Sequence, residues 1–277
     1  MMHKISVIGL WIVALWLPVG ALAESELTTL QRVDKAMGPP SRQAFIEVVE
    51  QSPGLPERKT VLFMVRKGPD RLLAQVIAPN KLKGWSLLRL GQKIVLRRSS
   101  DVTPQEIKPM ASLIHGLFTN GDLLPRGYAR EYRVVSSREE GRERVLELAP
   151  RDKDDLTSAY RKVVLRINAK NFLPLEAEHY LAEGFLVKRV KMKKAARFPE
   201  GFLAPKLMEA VSAANPRYKA RYAIGQMRSR ELPDSIFSSD FLPHVGKLLL
   251  EDGAFVKKWD AEKRTAQAVE KAESKEN

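Results

Sequence analysis

The sequence predicts a mainly β chain with some helix, built on an antiparallel sheet that is strongly curved or closed into a barrel. Three observations carry this. Strand-like runs recur at short spacing along most of the chain, separated by Gly, Pro, Asn and Asp turns. The run from Arg161 to Val190 reads as three consecutive strands joined by two tight turns. Several runs are apolar on both faces, which a sheet with one wet face does not need.

The meander is the clearest element. Val163, Leu165 and Ile167 alternate with Val164, Arg166 and Asn168, the period of a strand with one buried side. Asn168 to Asn171 break the pattern with turn chemistry, and Leu173, Leu175, Ala177 and His179 resume it. Ala182-Glu183-Gly184 turns the chain again into a third run, Phe185 to Lys194.

Residues 1–23 read as a secretory signal. Lys4 gives a positive start, Ile5 to Leu17 an apolar run too short to span a bilayer comfortably, and Ala21-Leu22-Ala23 an A-x-A cleavage site. Cleavage leaves Glu24 as the new N-terminus and directs the chain to the periplasm. With no cysteine, an exported chain has neither a disulfide nor the acylated cysteine of a bacterial lipoprotein, so core packing alone must hold it.

Glu24 to Met37 places Leu27, Leu30, Val33 and Met37 on one helical stripe, and Gly38-Pro39-Pro40 stops it. Strands are expected at 43–50, 60–67, 71–78, 85–90 and 92–98. In the second and third of these, Val61, Phe63 and Val65 stand opposite Leu62 and Met64, and Leu72, Ala74 and Val76 opposite Leu73 and Ile77. Either other elements sandwich the sheet, or one face lines an apolar cavity. Asp101 to Tyr128 interrupts the strands with three prolines and a short apolar segment, Met110 to Phe118, that reads as a helix laid over the sheet opening. Strands return at 130–135, 142–149, the meander, 202–210 and 217–224. Residues 24–243 therefore form the domain, and 244–277 a charged C-terminal tail, helical or disordered, with Asp260 and Arg264 at i, i+4 spacing.

The net charge of +14 favours anionic membranes or acidic partners, and export makes nucleic acid an unlikely one. The basic residues, among them Arg32, Lys59, Arg97, Arg98, Arg161, Lys188 and Arg221, are spread along the chain, which reads as solubility of a β-rich surface. His115, His179 and His244 lie on separate segments with no metal-ligand spacing, so no metal is expected, and His179 reads as a partly buried polar residue with a hydrogen-bond partner. No nucleophile elbow, P-loop or dinucleotide fingerprint occurs. Glu176 and Glu178 share a strand face, the geometry of an acid and base pair, but read more simply as an exposed polar face. No catalytic residue, cofactor or enzymatic activity is predicted.

The segments Ala159 to Ile167, Asn171-Phe172-Leu173-Pro174-Leu175 and Gly184 to Lys188 resemble the LolA-like outer-membrane lipoprotein-sorting family. Ala78 to Leu88, Arg144 to Pro150 and Leu232 to Phe237 fall in the same order as in that family. The resemblance covers residues 25–243. It implies an open half-barrel of the LolA/LolB type, with helices closing an apolar cavity for acyl chains. It also implies a non-catalytic carrier of lipoproteins or lipids, working with an RND-type inner-membrane exporter or an outer-membrane acceptor, and the chain is expected to act as a monomer. An accessory protein docked on such an exporter is the alternative reading. The expected cavity wall is Val61, Phe63, Val65, Leu72, Val76, Trp85, Leu88, Val163, Leu165, Ile167 and Phe185, with Leu27, Leu30 and Met37 on the lid. The chain departs from close members of the family at Arg97 to Ser100 and at Leu117 to Leu124, on the lid side.

Overall fold

The computed structural model describes residues 19–112, 116–151 and 160–250, with some positions between 253 and 268. Helix α1 (Val19–Ala36) leads to β1 (Ser41–Gln51), β2 (Arg58–Lys67), β3 (Arg71–Ala78), β4 (Ser86–Leu90), β5 (Lys93–Arg97) and β6 (Gln105–Glu106). Two single-turn helices, α2 (Asn120–Leu123) and α3 (Tyr128–Glu131), precede β7 (Tyr132–Glu140), β8 (Glu143–Pro150), β9 (Lys162–Asn168) and β10 (Pro174–Tyr180). Then come β11 (Leu186–Arg197), β12 (Leu203–Ser212), β13 (Lys219–Ser229) and α4 (Val245–Leu249).

All thirteen strands form one antiparallel sheet, in the order β6-β5-β4-β3-β2-β1-β13-β12-β11-β10-β9-β8-β7. The sheet does not close: β6 and β7 are its free edges. It is an open half-barrel. β-Bulges supply local bending, because an extra residue on one strand kinks it and increases its twist. In β13 the buried positions run Ala220, Tyr222, Ile224 and then Met227, an added residue that matches the register shift between Ala44 and Ile46 on β1.

Register fixes the two faces. Ala44 and Met64 are partners, as are Met64 and Ala74, and Ala74 and Leu87, so these share the concave face. Phe45 and Phe63, and Val65 and Leu73, share the convex face. The concave core divides between the β1–β5 side, where Phe118, Leu123 and Leu124 cover the sheet, and the β7–β10 side, where Leu30 and Val33 of α1 cover it. A third cluster covers the convex face of β2–β5: Phe63, Val65, Leu73, Leu88 and Val95 pack against Leu232, Ile236, Phe237, Phe241, Leu242, Val245 and Leu248. Of the two explanations for strands that are apolar on both sides, the sandwich accounts for the convex face of β2–β5.

Two expectations change, and two lie wholly or partly outside the described residues. The expected signal falls partly outside the described residues, which begin at Val19; positions 19–23 belong to α1. The packed chain runs on past 243, because Val245 and Leu248 are buried. The expected helix over 110–118 does not form in its described part, which is turn and bend at 110–112 and 116–118. Helix starts instead at Asn120, where Thr119 and Asp122 make a reciprocal capping box. Asp260 of the expected tail pair lies outside the described residues.

Candidate functional site

On the concave face, a cavity of about 840 Å³ lies between the sheet, α1 and the segment 116–131. Its floor is built from residues of seven neighbouring strands: Ala44 and Ile46, Met64, Val163, His179, Val190, Met208, and Tyr222, Ile224 and Met227. Leu27 and Met37 of α1 close one side, and Phe118, Pro125 and Tyr128 another. The size falls within the roughly 300–1,000 Å³ typical of small-molecule sites.

The segment 116–131 acts as a strap, and buried polar groups pin it to the sheet along its length. The Glu50 carboxylate accepts from Leu117 N at 3.0 Å and pairs with Arg58 at 2.9 Å. Lys188 Nζ donates to Leu117 O and to Asp122 Oδ2, both at 2.6 Å. Arg89, fully buried, donates to Leu124 O at 2.6 Å, and its Nη2 forms an ion pair with Glu131 at 3.2 Å without a hydrogen bond. Arg66 donates to Arg126 O at 3.0 Å, and Arg126 pairs with Asp70 at 3.1 Å. Each pin satisfies a backbone group that the strap's irregular path leaves without a ladder partner.

Helix α1 is tied to the strap by Asp34, whose oxygens accept from Tyr128 N at 2.7 Å and Ala129 N at 2.9 Å. Burial raises the Asp34 carboxyl above its ordinary range, against the lowering effect of these two hydrogen bonds and of Arg66 and Arg42. Gly127 makes this approach possible. Its φ of +101° lies where side chains are strained, and a Cβ there would sit 2.8 Å from Asp34 Oδ2.

Lys188, Asp122, Tyr160 and His179 form a polar knot in the cavity wall, with Lys188 buried behind the other three. Tyr160 donates to Asp122 Oδ2 at 2.9 Å, and Lys188 Nζ lies 5.1 and 5.2 Å from the Phe118 and Tyr160 ring centres. Burial opposes ionisation of Asp122, but the Lys188 ammonium outweighs it and holds the carboxyl below its usual value. Lys188 is thus no part of a soluble surface, as its place among spread basic residues suggested. His179 is likewise buried and not partly exposed. It packs on Tyr160 with ring centres 4.5 Å apart, and its Nδ1 has no hydrogen-bond partner. Burial, with Lys188 beside it, lowers its pKa to about 3.

The residues expected to form the wall divide into four groups. Leu27, Met37 and Val163 line the cavity. Leu72 and Val76 are on the concave face but in the core under the strap, with Trp85 packed against them; Leu30, Leu165 and Ile167 are buried under and within the α1 contact. Phe63, Val65 and Leu88 pack on the convex face beneath the C-terminal segment, and alternation along β2 puts Val61 on that side too. For these four the inward assignment was reversed, because both faces of β2 are apolar and both are covered. Phe185 sits at a turn, 73% exposed, because the chain leaves the sheet through Ala182–Gly184 before β11 begins.

Glu176 and Glu178 are committed elsewhere: Glu178 pairs with Arg189 at 2.7 Å and accepts from Tyr180 at 2.6 Å, and Glu176 pairs with Lys191 at 3.5 Å. Among the described residues no cluster of His, Asp and Glu has the makings of a metal site, and no helix is long and apolar enough to cross a membrane.

A family model described as "uncharacterized protein" matches residues 68–244, more than half of the chain. Among solved structures, a LolA superfamily protein from Nitrosomonas europaea is 23% identical, with a TM-score of 0.70 over 78% of this chain and 98% of that one. A putative outer-membrane lipoprotein-sorting protein domain from Vibrio parahaemolyticus is 17% identical, with a TM-score of 0.64 over 80% of this chain and 99% of its own. A DUF1329 family protein from Desulfovibrio piger is 16% identical, with a TM-score of 0.66 and coverage of 79% and 98%. No curated protein matches the sequence. At these identities the likeness establishes the fold, the open half-barrel of the LolA type.

Proposed function

The chain belongs to the family whose model spans residues 68–244, and from that premise and its LolA-type fold we propose that it is a periplasmic carrier of acyl chains. The chains belong to lipids or lipoproteins and lie in the concave-face cavity. The observation that carries this reading is the cavity itself: about 840 Å³, floored by apolar side chains and roofed by α1 and the strap.

Burying an acyl chain yields about 0.8 kcal/mol per methylene, so a long chain gains on the order of 10 kcal/mol. Binding that tight would prevent delivery. The strap and α1 offset it where a bound chain pushes aside groups that are pinned around the empty cavity. The polar pins therefore set the balance between retention and release, and no catalytic group is required. A carrier of this kind takes cargo at one membrane and surrenders it at another, with an RND-type exporter or an outer-membrane acceptor as its partners.

Met208 and Val190 are partly exposed into the cavity, so they test the reading with little damage to the core. Met208→Glu puts a charge against the acyl chain. Displacement of a fluorescent fatty acyl probe reads the effect: binding falls at least about tenfold while the unfolding midpoint stays near that of the native protein. Unchanged probe binding would place the chains elsewhere.

A further inference from the structure

The cavity carries a charge that its structural role does not explain. Arg42 on β1 and Arg66 on β2 are direct cross-strand partners, and both side chains reach the cavity wall. Like charges directly opposite on a sheet repel, and the partial burial of both side chains increases the cost. The most deeply buried cations each have a carboxylate: Arg89 has Glu131, Arg126 has Asp70 and Lys188 has Asp122. Arg42 and Arg66 have none as an ion-pair partner among the described residues. Arg42 Nη1 donates to Pro39 O at 2.6 Å, and Arg66 donates to Gly68 O at 2.8 Å and Arg126 O at 3.0 Å. Asp34 is the acid that both sense, and its oxygens are occupied by Tyr128 N and Ala129 N. Burial and the neighbouring Arg66 together lower Arg42 to about 9, the direction expected of a cation short of a counter-charge.

We propose that Arg42 and Arg66 form the headgroup site of the cavity, binding the oxyanion of an acyl amphiphile, a carboxylate or a phosphate. Two guanidinium forks side by side match the geometry of such a group, and its charge relieves their repulsion. The apolar floor beside them, Ala44, Ile46, Met64, Ile224 and Met227, gives the attached chain its bed. This deepens the carrier reading and rests on it: it makes the cargo an anionic lipid in place of any apolar chain.

The test uses the full mature chain freed of lipid, and compares palmitate, hexadecyl phosphate and neutral hexadecanol by titration. The expected result is that both anions bind at least about tenfold tighter than the alcohol. Arg42→Gln, which leaves the pins of the strap in place, removes that preference and leaves hexadecanol binding within about twofold. Arg42→Lys, which keeps the charge, retains part of it. Palmitate ahead of hexadecyl phosphate identifies a fatty acid as the source, and the reverse order a phospholipid. Equal binding of all three by the native protein overturns the headgroup site while leaving carriage standing. Binding of none overturns carriage, and this inference with it. If the glutamine variant does not fold, the native protein's selectivity alone decides.

Discussion

Lys188 Nζ and Asp122 Oδ2 stand 2.6 Å apart, with the lysine side chain fully buried, and this pair fastens the strap to the middle of the sheet. Removing one partner of a buried pair leaves the other charge stranded, at a typical cost of about 3–5 kcal/mol. Lys188→Met should therefore destabilise the fold by that order in denaturant unfolding. The double variant with Asp122→Asn should lose less than the sum of the two single losses. Additive losses would mean that the pair does not act as a unit.

His179 gives the fold an acid sensitivity of its own. Its folded pKa, about 3, lies below the ordinary 6.5, so the unfolded chain binds a proton that the folded chain refuses. The sign follows: stability is full above pH 6.5 and falls as pH drops towards 3, at up to about 1.4 kcal/mol per pH unit. Asp122, with its pKa lowered by Lys188, keeps its contribution through this window and loses it only below the usual 3.8. Unfolding free energy measured between pH 7 and 4 should decline less steeply in His179→Gln than in the native chain. Parallel curves would place the sensitivity elsewhere.

The C-terminal segment is structural. Phe63 is 1% exposed against Phe45 on one side and the segment around Phe241 on the other. A chain ended at Pro243 loses the buried Val245 and Leu248, and each large-to-small deletion of this kind costs about 2–5 kcal/mol. Thermal unfolding should fall sharply for the chain ended at 243 and stay near native for one ended at 250. Equal midpoints would show that the segment contributes nothing.

Phe185 offers a control. At 73% exposure, Phe185→Ser should change stability by less than about 0.5 kcal/mol and leave acyl probe binding untouched. A loss of binding would return this residue to the cavity mouth.

Most of the strands, and the antiparallel meander of β9 to β11, were legible because one-sided burial writes itself as alternation, clearest in Val163, Leu165 and Ile167. Which side faces in was not legible on β2, where Leu62 and Met64 face the cavity side and Phe63 and Val65 the C-terminal cover. The signal that would have settled it lies far along the chain. Leu232, Ile236, Phe241, Val245 and Leu248 form an apolar series after the last strand, and such a series needs a surface to cover. The strap was harder still. Lys188 and Asp122 are separated by 66 residues, and Arg89 and Leu124 by 35, so nothing local marks these charges as buried. A basic residue on an alternating strand looks like solubility until its partner is brought across the cavity.

The central claim, that the cavity carries acyl chains, is most directly tested by native mass spectrometry of the protein expressed with its own residues 1–23 and purified without detergent. The account predicts a bound mass that solvent extraction removes, with the composition of an acyl lipid or acylated peptide. A protein that is apo as purified, and stays apo after incubation with envelope lipids and an acylated lipoprotein, would contradict it.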